Sequence, residues 1–313
     1  MILQTGQRTD IPAFYGLWFA NRIREGYVDV RNPYHPELIT RYRINPDIVD
    51  GIAFCTKNPV PFIPYMDVIE PYRQYWHMTI TPYGTDIEPF VPPYETVLEG
   101  FKQISMHLNP KSMVWRYDPI MLTHAYTFDY HCESFQKMAK ALEGYTDTVV
   151  VSFIDIFDKV AQNFPDGYRP DIDIQMEIIA EFVSIAKAHH MELKTCGEGH
   201  IFSDAGANTS GCLTLDCYER AWHVKLKAPK RTPARPECSC YLHGDIGTYN
   251  SCSHFCKYCC YANTNQEAVR RNRLRHDPDS SLLLGHVLTG DTIRMSDETS
   301  WIIDEPYRQD SLF

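Results

Sequence analysis

At 313 residues, the chain is long enough to bury a large core, either as one barrel-sized domain or as two smaller domains. Its formal net charge of -10 argues against a protein whose whole surface binds nucleic acid, because that binding depends on Lys and Arg side chains that neutralise phosphates. Residues 1–8 lack the basic and apolar regions of a signal peptide, and no apolar run is long enough to cross a bilayer, so we expect a cytoplasmic protein.

Strand and helix patterns alternate along the first two-thirds of the chain. Short apolar or β-rich runs predict strands at residues 27–31, 51–55, 76–81, 113–117, 148–153 and 191–195. Between several of them, apolar residues at spacings of three and four predict helices at residues 94–107, 128–142 and 174–189. Strands separated by helices build βαβ units and a parallel sheet, and this pattern predicts an α/β fold with a TIM-like (β/α) barrel.

Polar residues follow several of these strands at their carboxyl ends, where barrel enzymes carry their catalytic groups. Lys57, Arg116 and Asp118 are predicted to line the mouth of the barrel as catalytic residues, with a carboxylate or phosphate of a ligand as counterion. For Asp118, and for Asp155 after a later strand, capping of a helix N-terminus is the alternative. The capping alternative is weaker for Lys57 and Arg116, because positively charged side chains are disfavoured at helix N-termini.

The C-terminal part of the chain contains three cysteines with the spacing CxxxCxxC, namely Cys252, Cys256 and Cys259. Gaps of three and two residues let one tight turn direct all three thiolates toward a [4Fe-4S] cluster and leave the fourth iron open. Zinc is the alternative, but structural zinc sites need four ligands and usually combine two CxxC pairs. Cys260 adds a thiol directly after Cys259, either as a spare or as a shift in the register of the last ligand.

This spacing, with Tyr258 before the last cysteine, resembles the CxxxCxΦC motif of the radical S-adenosylmethionine (SAM) superfamily, in which Φ is aromatic. The resemblance implies that SAM binds the open iron and is cleaved to a 5′-deoxyadenosyl radical by an electron from the cluster. Glu198, within a Gly-Glu-Gly sequence, is a loose counterpart of the glycine-rich segment that binds the SAM amino group in that superfamily. Arg8 and Asp10 are further candidates for cofactor contacts.

A wider set of segments resembles the bacterial family called domain of unknown function 1848. These segments are residues 8–12, 56–59, 115–119 and 245–263. The resemblance runs nearly from end to end of the chain. It implies a cluster of radical SAM type near the C-terminus, and it carries no reaction with it.

The other cysteines predict a second site. Cys238 and Cys240 form a CxC pair, which places two sulfurs on the same side of an extended chain. With Cys196 and either Cys212 or Cys217, the pair would supply four ligands for an auxiliary iron–sulfur cluster or a zinc ion. The alternative is ordinary buried cysteines. A total of eleven cysteines, an odd number with metal-like spacing, favours a reducing compartment.

The cysteine motif begins at residue 252, whereas most radical SAM proteins carry it near the N-terminus. Residues 245–249 have the character of a strand and residues 266–275 that of a helix, so strand, cluster loop and helix follow one another as in the first unit of a radical SAM barrel. We therefore expect a circularly permuted barrel, in which residues 245–249 pair beside residues 1–5. Residues 1–240 would form the barrel core, and residues 241–313 a cluster-binding segment packed on it.

The sequence thus predicts a radical SAM-type iron–sulfur enzyme of unknown substrate, with an electron donor such as flavodoxin or ferredoxin. Basic residues occur at 223–235 and at Arg270, Arg271, Arg273 and Arg275. They are either solvated faces or contacts for a phosphate-bearing substrate or an acidic donor. The alternative function is a non-catalytic module, in which iron–sulfur or zinc only holds the C-terminal segment to a barrel that binds nucleic acid or a protein.

Overall fold

Strands and helices alternate along most of the chain. The computed structural model describes residues 1–230, 236–242, 244–259 and 265–303. The strands are β1 (Ile2–Gln4), β2 (Tyr27–Arg31), β3 (Leu38–Arg43), β4 (Gly51–Thr56), β5 (Gln74–Thr79), β6 (Met113–Ile120), β7 (Thr148–Phe153), β8 (Glu192–Thr195) and β9 (Thr292–Met295). The helices are α1 (Ile11–Phe14), α2 (Gly16–Glu25), α3 (Tyr94–Ser105), α4 (Phe128–Leu142), α5 (Asp158–Asn163), α6 (Ile172–Ala188), α7 (Leu215–Trp222) and α8 (Gln266–Arg273), with 3₁₀ helices at Val60–Ile69 and Pro110–Ser112.

Local sequence explains where several helices begin and end. Thr127 caps α4 by accepting a hydrogen bond from the Tyr130 N–H, and Thr214 caps α7 by accepting one from the Cys217 N–H. At the other end of a helix, α2 stops at Gly26, whose φ of 77° lies in the left-handed region that glycine adopts without strain.

Six strands form one parallel sheet in the order β1-β4-β5-β6-β7-β8. Helical segments connect most of these strands, as parallel pairing requires. The α/β class and the parallel sheet are therefore confirmed, and β4 to β8 lie where the apolar runs predict them, with small differences at their ends. The predicted strand at residues 27–31 also exists, but its placement in this sheet is wrong.

A second sheet holds β2, β3 and β9. β2 pairs antiparallel with β3, and β3 pairs parallel with β9. Only residues 32–37 connect β2 with β3, which is too short for the crossover that a parallel neighbour needs, so the two strands form a hairpin.

The six-stranded sheet is extended at both edges by single bridged residues. Beside β1, Asp245 forms a parallel bridge with Gln4; beside β8, Asn208 forms one with Lys194. The two added edges approach each other at the Tyr241 N–H, which donates to the Leu213 carbonyl oxygen at 2.8 Å. We call this region, residues 208–213 and 240–246, the seam.

The strands of the described residues do not close into a barrel, so the predicted TIM-like closure is not confirmed. Only single bridges pair the seam segments with the sheet. Gly211 and Gly244 have φ values of 108° and 68°, and such left-handed backbone interrupts the extended conformation that a strand needs.

The two faces of the six-stranded sheet carry different side chains. On the outer face, Trp76 stacks on Phe54 with ring centres 3.9 Å apart, and Trp115 stacks on Phe135 of α4 at 4.7 Å. The opposite face, which we call the inner face, carries the polar or sulfur-bearing side chains of Gln4, Cys55, His77, Arg116 and Lys194, since successive strand residues alternate in direction.

Helix α7 covers the inner face at the amino ends of the strands. Trp222 Nε1 donates to the Gln74 carbonyl oxygen at 3.0 Å, at the start of β5. Gly51, which begins β4, leaves room for this ring, because a Cβ there would lie 2.3 Å from the Trp222 side chain. The carboxyl ends of the strands are therefore the end at which the inner face can be approached.

The segment after residue 240 contacts the rest of the chain at several places. β9 completes the second sheet, Leu282 bridges to Asp29, and the Trp301 N–H donates to Asp50 Oδ2 at 2.7 Å. The division at residue 240 stays a prediction. Among the described residues, no helix combines the length and apolar character needed to span a membrane.

Candidate metal and cofactor site

The cysteine loop, residues 252–259, lies at the carboxyl end of the parallel sheet. The segment before it pairs with β1, and Ser251 Oγ donates to Thr9 Oγ1 at 2.7 Å. The hydroxyl of Tyr15 donates to the Ser251 carbonyl oxygen at 2.7 Å. These contacts hold the loop against the segment that follows β1.

The loop backbone curls tightly. Phe255 has a φ of 54°, a left-handed conformation that non-glycine residues rarely adopt and that is often found at ligand-binding turns. The Cys259 N–H then donates to the Cys256 carbonyl oxygen at 3.1 Å and closes a turn. The last two cysteines of the motif thus leave the same turn.

Two of the loop cysteines are almost fully buried. Cys252 and Cys256 are each 8% exposed, and Cys259 is half-buried. Burial raises the pKa of the Cys252 thiol, and Asp10 and the two neighbouring cysteines raise it further. A thiolate is unfavourable here unless a cation neutralises it, and a metal centre supplies that cation because coordination deprotonates a thiol. Three thiols from one loop are a donor set that such a centre can use.

The three loop thiols do not by themselves form a ready ligand cage. Within the described ranges, no group of three or more His, Cys, Asp or Glu side chains has the arrangement of a metal site. Thiolates of a [4Fe-4S] cluster bind different irons, so their sulfurs do not have to touch one another. Cys260 and its two predicted roles lie outside the described residues.

Glu88 is the centre of a hydrogen-bonded group beside the cysteine loop. Its Oε1 accepts hydrogen bonds from Lys57 Nζ and Thr81 Oγ1, both at 2.8 Å, and from the Tyr258 hydroxyl. Burial alone would lower the pKa of Lys57, but Glu88 and Cys256 outweigh it, so the pKa of Lys57 is raised. Lys57 therefore carries a buried positive charge next to the loop.

Asp10 connects three parts of the structure near the loop. Its Oδ1 caps α1 by accepting from the Ala13 N–H at 3.0 Å. Its Oδ2 accepts from the Lys57 N–H at 2.8 Å and lies 3.0 Å from His254 Nε2. All of these partners are protein groups, so the carboxylate positions the loop.

Arg8 holds the segment that enters the loop. Its Nε pairs with the Asp245 carboxylate, and its Nη2 donates to the Asp245 carbonyl oxygen at 2.7 Å. The guanidinium also lies 5.7 Å from the ring centre of Tyr249. The predicted cofactor residues Arg8 and Asp10 thus both support the backbone around the cysteines.

Arg116 and Asp118 pair with each other on the inner face. The Asp118 carboxylate also accepts a hydrogen bond from Ser152 Oγ. Asp118 lies inside β6 and caps no helix, so the capping alternative is wrong for it. Arg116 Nη1 lies 3.4 Å from His77 Nδ1, and burial together with the Arg116 charge lowers the pKa of His77.

Two cysteines of the seam, Cys212 and Cys240, contact two cysteines outside it, Cys196 and Cys238; we call these four the seam cysteines. Cys212 Sγ lies 3.3 Å from Cys196 Sγ and 3.2 Å from Cys240 Sγ. Cys240 is also in hydrogen-bonding contact with Cys238. The structure thus brings together the predicted CxC pair, Cys196 and Cys212.

Cys217, the other predicted choice of fourth ligand, lies elsewhere. Its Sγ is 3.4 Å from Lys194 Nζ and 3.2 Å from Thr214 Oγ1. Of the two cysteines that the spacing left open, the one in contact with the group is therefore Cys212.

A positive charge lies beside the seam cysteines. Arg116 Nη1 is 3.8 Å from Cys212 Sγ. Hydrogen bonds from Cys212 and Cys240 lower the pKa of Cys196 well below its usual value, and the Arg116 charge lowers it further. Within the group, Cys196 is therefore the member that favours the thiolate form, whereas its hydrogen bonds raise the pKa of Cys212 and of Cys240.

Glu198 lies in a separate open cleft of about 460 Å³. The residues that line it are Asp155, Phe157, Arg169, Gly197, Glu198, Ile201 and Glu237. Glu198 accepts from the Phe153 N–H at 2.8 Å and pairs with Arg169. Asp155 lies 3.4 Å from the same arginine; α5 begins after Phe157, so the capping alternative is wrong for Asp155 as well.

The predicted site residues thus fall into three places. Lys57, Asp10 and Arg8 surround the cysteine loop, Arg116 and Asp118 lie beside the seam cysteines, and Glu198 lines the cleft. Sequence reasoning missed Glu88 and His77. The only signal for Glu88 was a carboxylate in the proline-rich stretch after the strand predicted at residues 76–81, and for His77 a histidine inside that strand.

Comparison with known families identifies the group to which the chain belongs. The family model described as domain of unknown function (DUF1848) matches residues 2–262. This protein is a member of that family. The match to domain of unknown function 1848 includes the seam cysteines and the cysteine loop, whereas α8 and β9 follow it. A search of curated proteins found no match.

Proposed function

We propose that this protein is an iron–sulfur enzyme of the radical SAM type, with a [4Fe-4S] cluster on Cys252, Cys256 and Cys259. The observation that carries the proposal is the position of the cysteine loop. It follows a segment bridged to β1 and lies at the carboxyl end of the parallel sheet, where enzymes built on such sheets place their chemistry. When bound, the cluster would supply the electron for reductive cleavage of SAM.

The same position supports a circularly permuted barrel. Asp245 adds a segment beside β1, and Asn208 adds one beside β8. We propose that these two segments take the places of the strands that a TIM-like barrel would have there. Strand, cysteine loop and α8 would then form the permuted unit, contributed by the C-terminal part of the chain.

Lys57, Glu88 and Tyr258 would adjust the charge around the cluster. Three thiolates bring negative charge into a buried loop, and the Lys57 ammonium balances part of it. Glu88 holds both that ammonium and the Tyr258 hydroxyl, so it also positions the residue directly before Cys259. This group keeps the proton on Lys57 Nζ and restricts the last ligand.

SAM and the substrate would lie over the inner face. Glu198 stays the proposed contact for the SAM amino group, although it lines a cleft separate from the cysteine loop and its carboxylate is bound by the Phe153 N–H and Arg169. Arg116 and Asp118 are proposed to meet the substrate, because their side chains keep 16% and 19% exposure although they are paired. An arginine that remains charged and partly accessible suits a carboxylate or phosphate.

Helix α8 is the proposed docking surface for an electron donor such as flavodoxin or ferredoxin. Its arginines approach the loop: the Arg270 guanidinium lies 5.9 Å from the ring centre of Phe255, and Arg273 Nη1 lies 3.3 Å from Ser253 Oγ. A basic surface beside the cluster favours an acidic donor through electrostatic steering.

The test is anaerobic reconstitution with iron and sulfide, followed by reduction in the presence of SAM. We expect a reduced-state electron paramagnetic resonance signal and release of 5′-deoxyadenosine. Replacing all three loop cysteines (Cys252→Ala, Cys256→Ala and Cys259→Ala) should abolish both, because no ligands remain for the cluster.

The matched control is Cys132→Ala, which removes a cysteine of α4 and should leave both signals unchanged. Full iron content with the same signal in the triple variant would show that the ligands are wrongly assigned. A cluster that depends on the loop but releases no 5′-deoxyadenosine would favour the non-catalytic module instead.

A further inference from the structure

The seam cysteines come from three separate segments of the chain. Cys196 follows β8, Cys212 follows the residue bridged to β8, and the pair Cys238 and Cys240 precedes the segment bridged to β1. Each edge of the six-stranded sheet therefore contributes sulfur to one point. In addition, the Leu213 N–H donates to Cys240 Sγ at 3.3 Å, so a hydrogen bond already connects the segments beside the two edges.

The burial of these sulfurs calls for a ligand. Cys212, Cys238 and Cys240 are 2%, 7% and 4% exposed. Neutral thiols are weak hydrogen-bond donors and weak acceptors, so their mutual contacts of 3.2 and 3.3 Å add little stability by themselves. Four thiols that converge on one point are the usual ligand set of a closed structural metal site.

The spacing of the sulfurs indicates which metal fits. Zinc binds thiolate at about 2.3 Å, which places neighbouring sulfurs of a tetrahedron roughly 3.8 Å apart. Among the described residues no group already has the arrangement of a metal site, and this includes the seam cysteines. Their sulfurs, at 3.2 and 3.3 Å, need to separate by about half an ångström to reach the zinc geometry. The ligands of a [4Fe-4S] cluster lie much farther apart, because the whole cubane is between them, so a single ion fits and a cubane does not.

We propose that Cys196, Cys212, Cys238 and Cys240 hold one zinc ion, which joins the two edges of the parallel sheet. Four thiolates and Zn²⁺ together carry two negative charges, and Arg116, with Nη1 3.8 Å from Cys212 Sγ, offsets part of them. All four positions of the ion are filled by protein, and zinc has no redox chemistry. The ion is therefore structural and independent of the cluster proposed for the cysteine loop.

The experiment measures metal in the variant that lacks all three loop cysteines, so that iron bound by the loop does not interfere. The protein is produced with zinc in the medium, and its metal content is determined by elemental analysis. We expect about one zinc per chain, as for a tetrahedral four-thiolate site. Cobalt exchanged for zinc should give the visible spectrum of a tetrahedral thiolate complex.

Removing the CxC pair with Cys238→Ser and Cys240→Ser should abolish zinc binding and the cobalt spectrum. The matched control is Cys217→Ser, a buried neighbour that lies outside the group and should retain both signals.

Three results would overturn the proposal, and none requires the seam variants to fold. The first is a loop variant that binds no zinc when supplied with zinc alone. The second is iron with acid-labile sulfide in that variant, which would show a cluster at the seam. The third is a disulfide between Cys212 and Cys240 in protein purified under reducing conditions. All three results come from measurements of metal or thiol content, so they do not depend on whether the protein cleaves SAM.

Discussion

The cysteine loop and the seam cysteines show two ways in which a chain can assemble sulfur. The loop takes three cysteines from a single turn, Cys252 to Cys259, and its spacing alone indicates an iron–sulfur ligand set. The seam cysteines are spread over residues 196–240, and only tertiary structure brings them together. The loop cysteines are thus neighbours in the sequence itself, whereas the seam group comes together only when the sheet forms.

This difference predicts that loss of the loop region and loss of the seam will affect the fold in different ways. Four predictions follow that difference, from global unfolding to a pH-dependent change at one side chain.

The largest effect is expected from truncation after residue 244. The shortened chain keeps all four seam cysteines, but β1 loses its bridge to Asp245, β3 loses β9, and Asp50 loses its bond from the Trp301 N–H. An exposed edge of a parallel sheet favours aggregation, so we expect an insoluble or molten protein. Size-exclusion chromatography measures whether the shortened chain aggregates, and thermal unfolding measures whether it melts cooperatively.

The control for the truncation is a chain that ends at residue 303, which keeps every contact named above. If the chain ending at 244 remains monomeric and melts cooperatively, the cysteine loop belongs to a separate appended domain. The proposal that the cysteine loop shares one site with Lys57 and Arg116 at the carboxyl end of the sheet would then be wrong.

The second prediction compares Cys240→Ser at the seam with Cys256→Ser in the loop. If the seam holds zinc as proposed, binding is coupled to folding, and the seam variant should lose on the order of 3 kcal/mol or more of unfolding free energy. The loop variant should lose cluster iron but little stability. Urea unfolding with and without a chelator gives both values, and equal losses would remove the distinction between the two groups.

The third prediction concerns the buried ion pair beside the loop. Glu88→Gln leaves the Lys57 ammonium, which is 14% exposed, without a charged partner, and should destabilise the protein by about 3 kcal/mol. Adding Lys57→Met should recover most of that loss, since no unpaired charge remains. Denaturant unfolding of the two single variants and the double variant measures the coupling. Additive losses would show that the pair does not act as a unit.

The most local effect lies away from both cysteine groups and serves as a reference for acid sensitivity. Burial lowers the pKa of His131 to about 4, below its ordinary value near 6.5. The folded protein thus binds fewer protons here than the unfolded chain. This contribution to stability is present above about pH 6.5 and is lost as the pH falls toward 4, by about 3 kcal/mol. His131→Gln should flatten that part of a stability-against-pH curve, and an unchanged curve would contradict the assignment.

The sequence predicted those strands and helices whose formation depends on residues close together in the chain. The run at residues 148–153 coincides with β7, and residues 128–142 coincide with α4, because apolar periodicity and the Thr127 cap act locally. β9 was missed: all four of its residues are exposed, so no buried face leaves a pattern in the sequence.

The candidate site divides in the same way. The loop cysteines could be predicted because their ligand spacing is contained in eight residues. The choice between Cys212 and Cys217 could not, because it depends on which side of α7 meets the seam. Glu88 was missed for a similar reason: its partners Lys57 and Tyr258 come from distant parts of the chain, and no spacing reports such a contact.

The bridge between Gln4 and Asp245 has a consequence for how the protein is made. β1 is translated among the first residues, yet its outer neighbour leaves the ribosome roughly 240 residues later, which takes tens of seconds at about 5–20 residues per second. For that interval the nascent sheet has an open edge, and the thiols of the cysteine loop do not yet exist. Insertion of the proposed cluster would thus be confined to a late stage of synthesis, after most of the sheet that would surround it has had time to form.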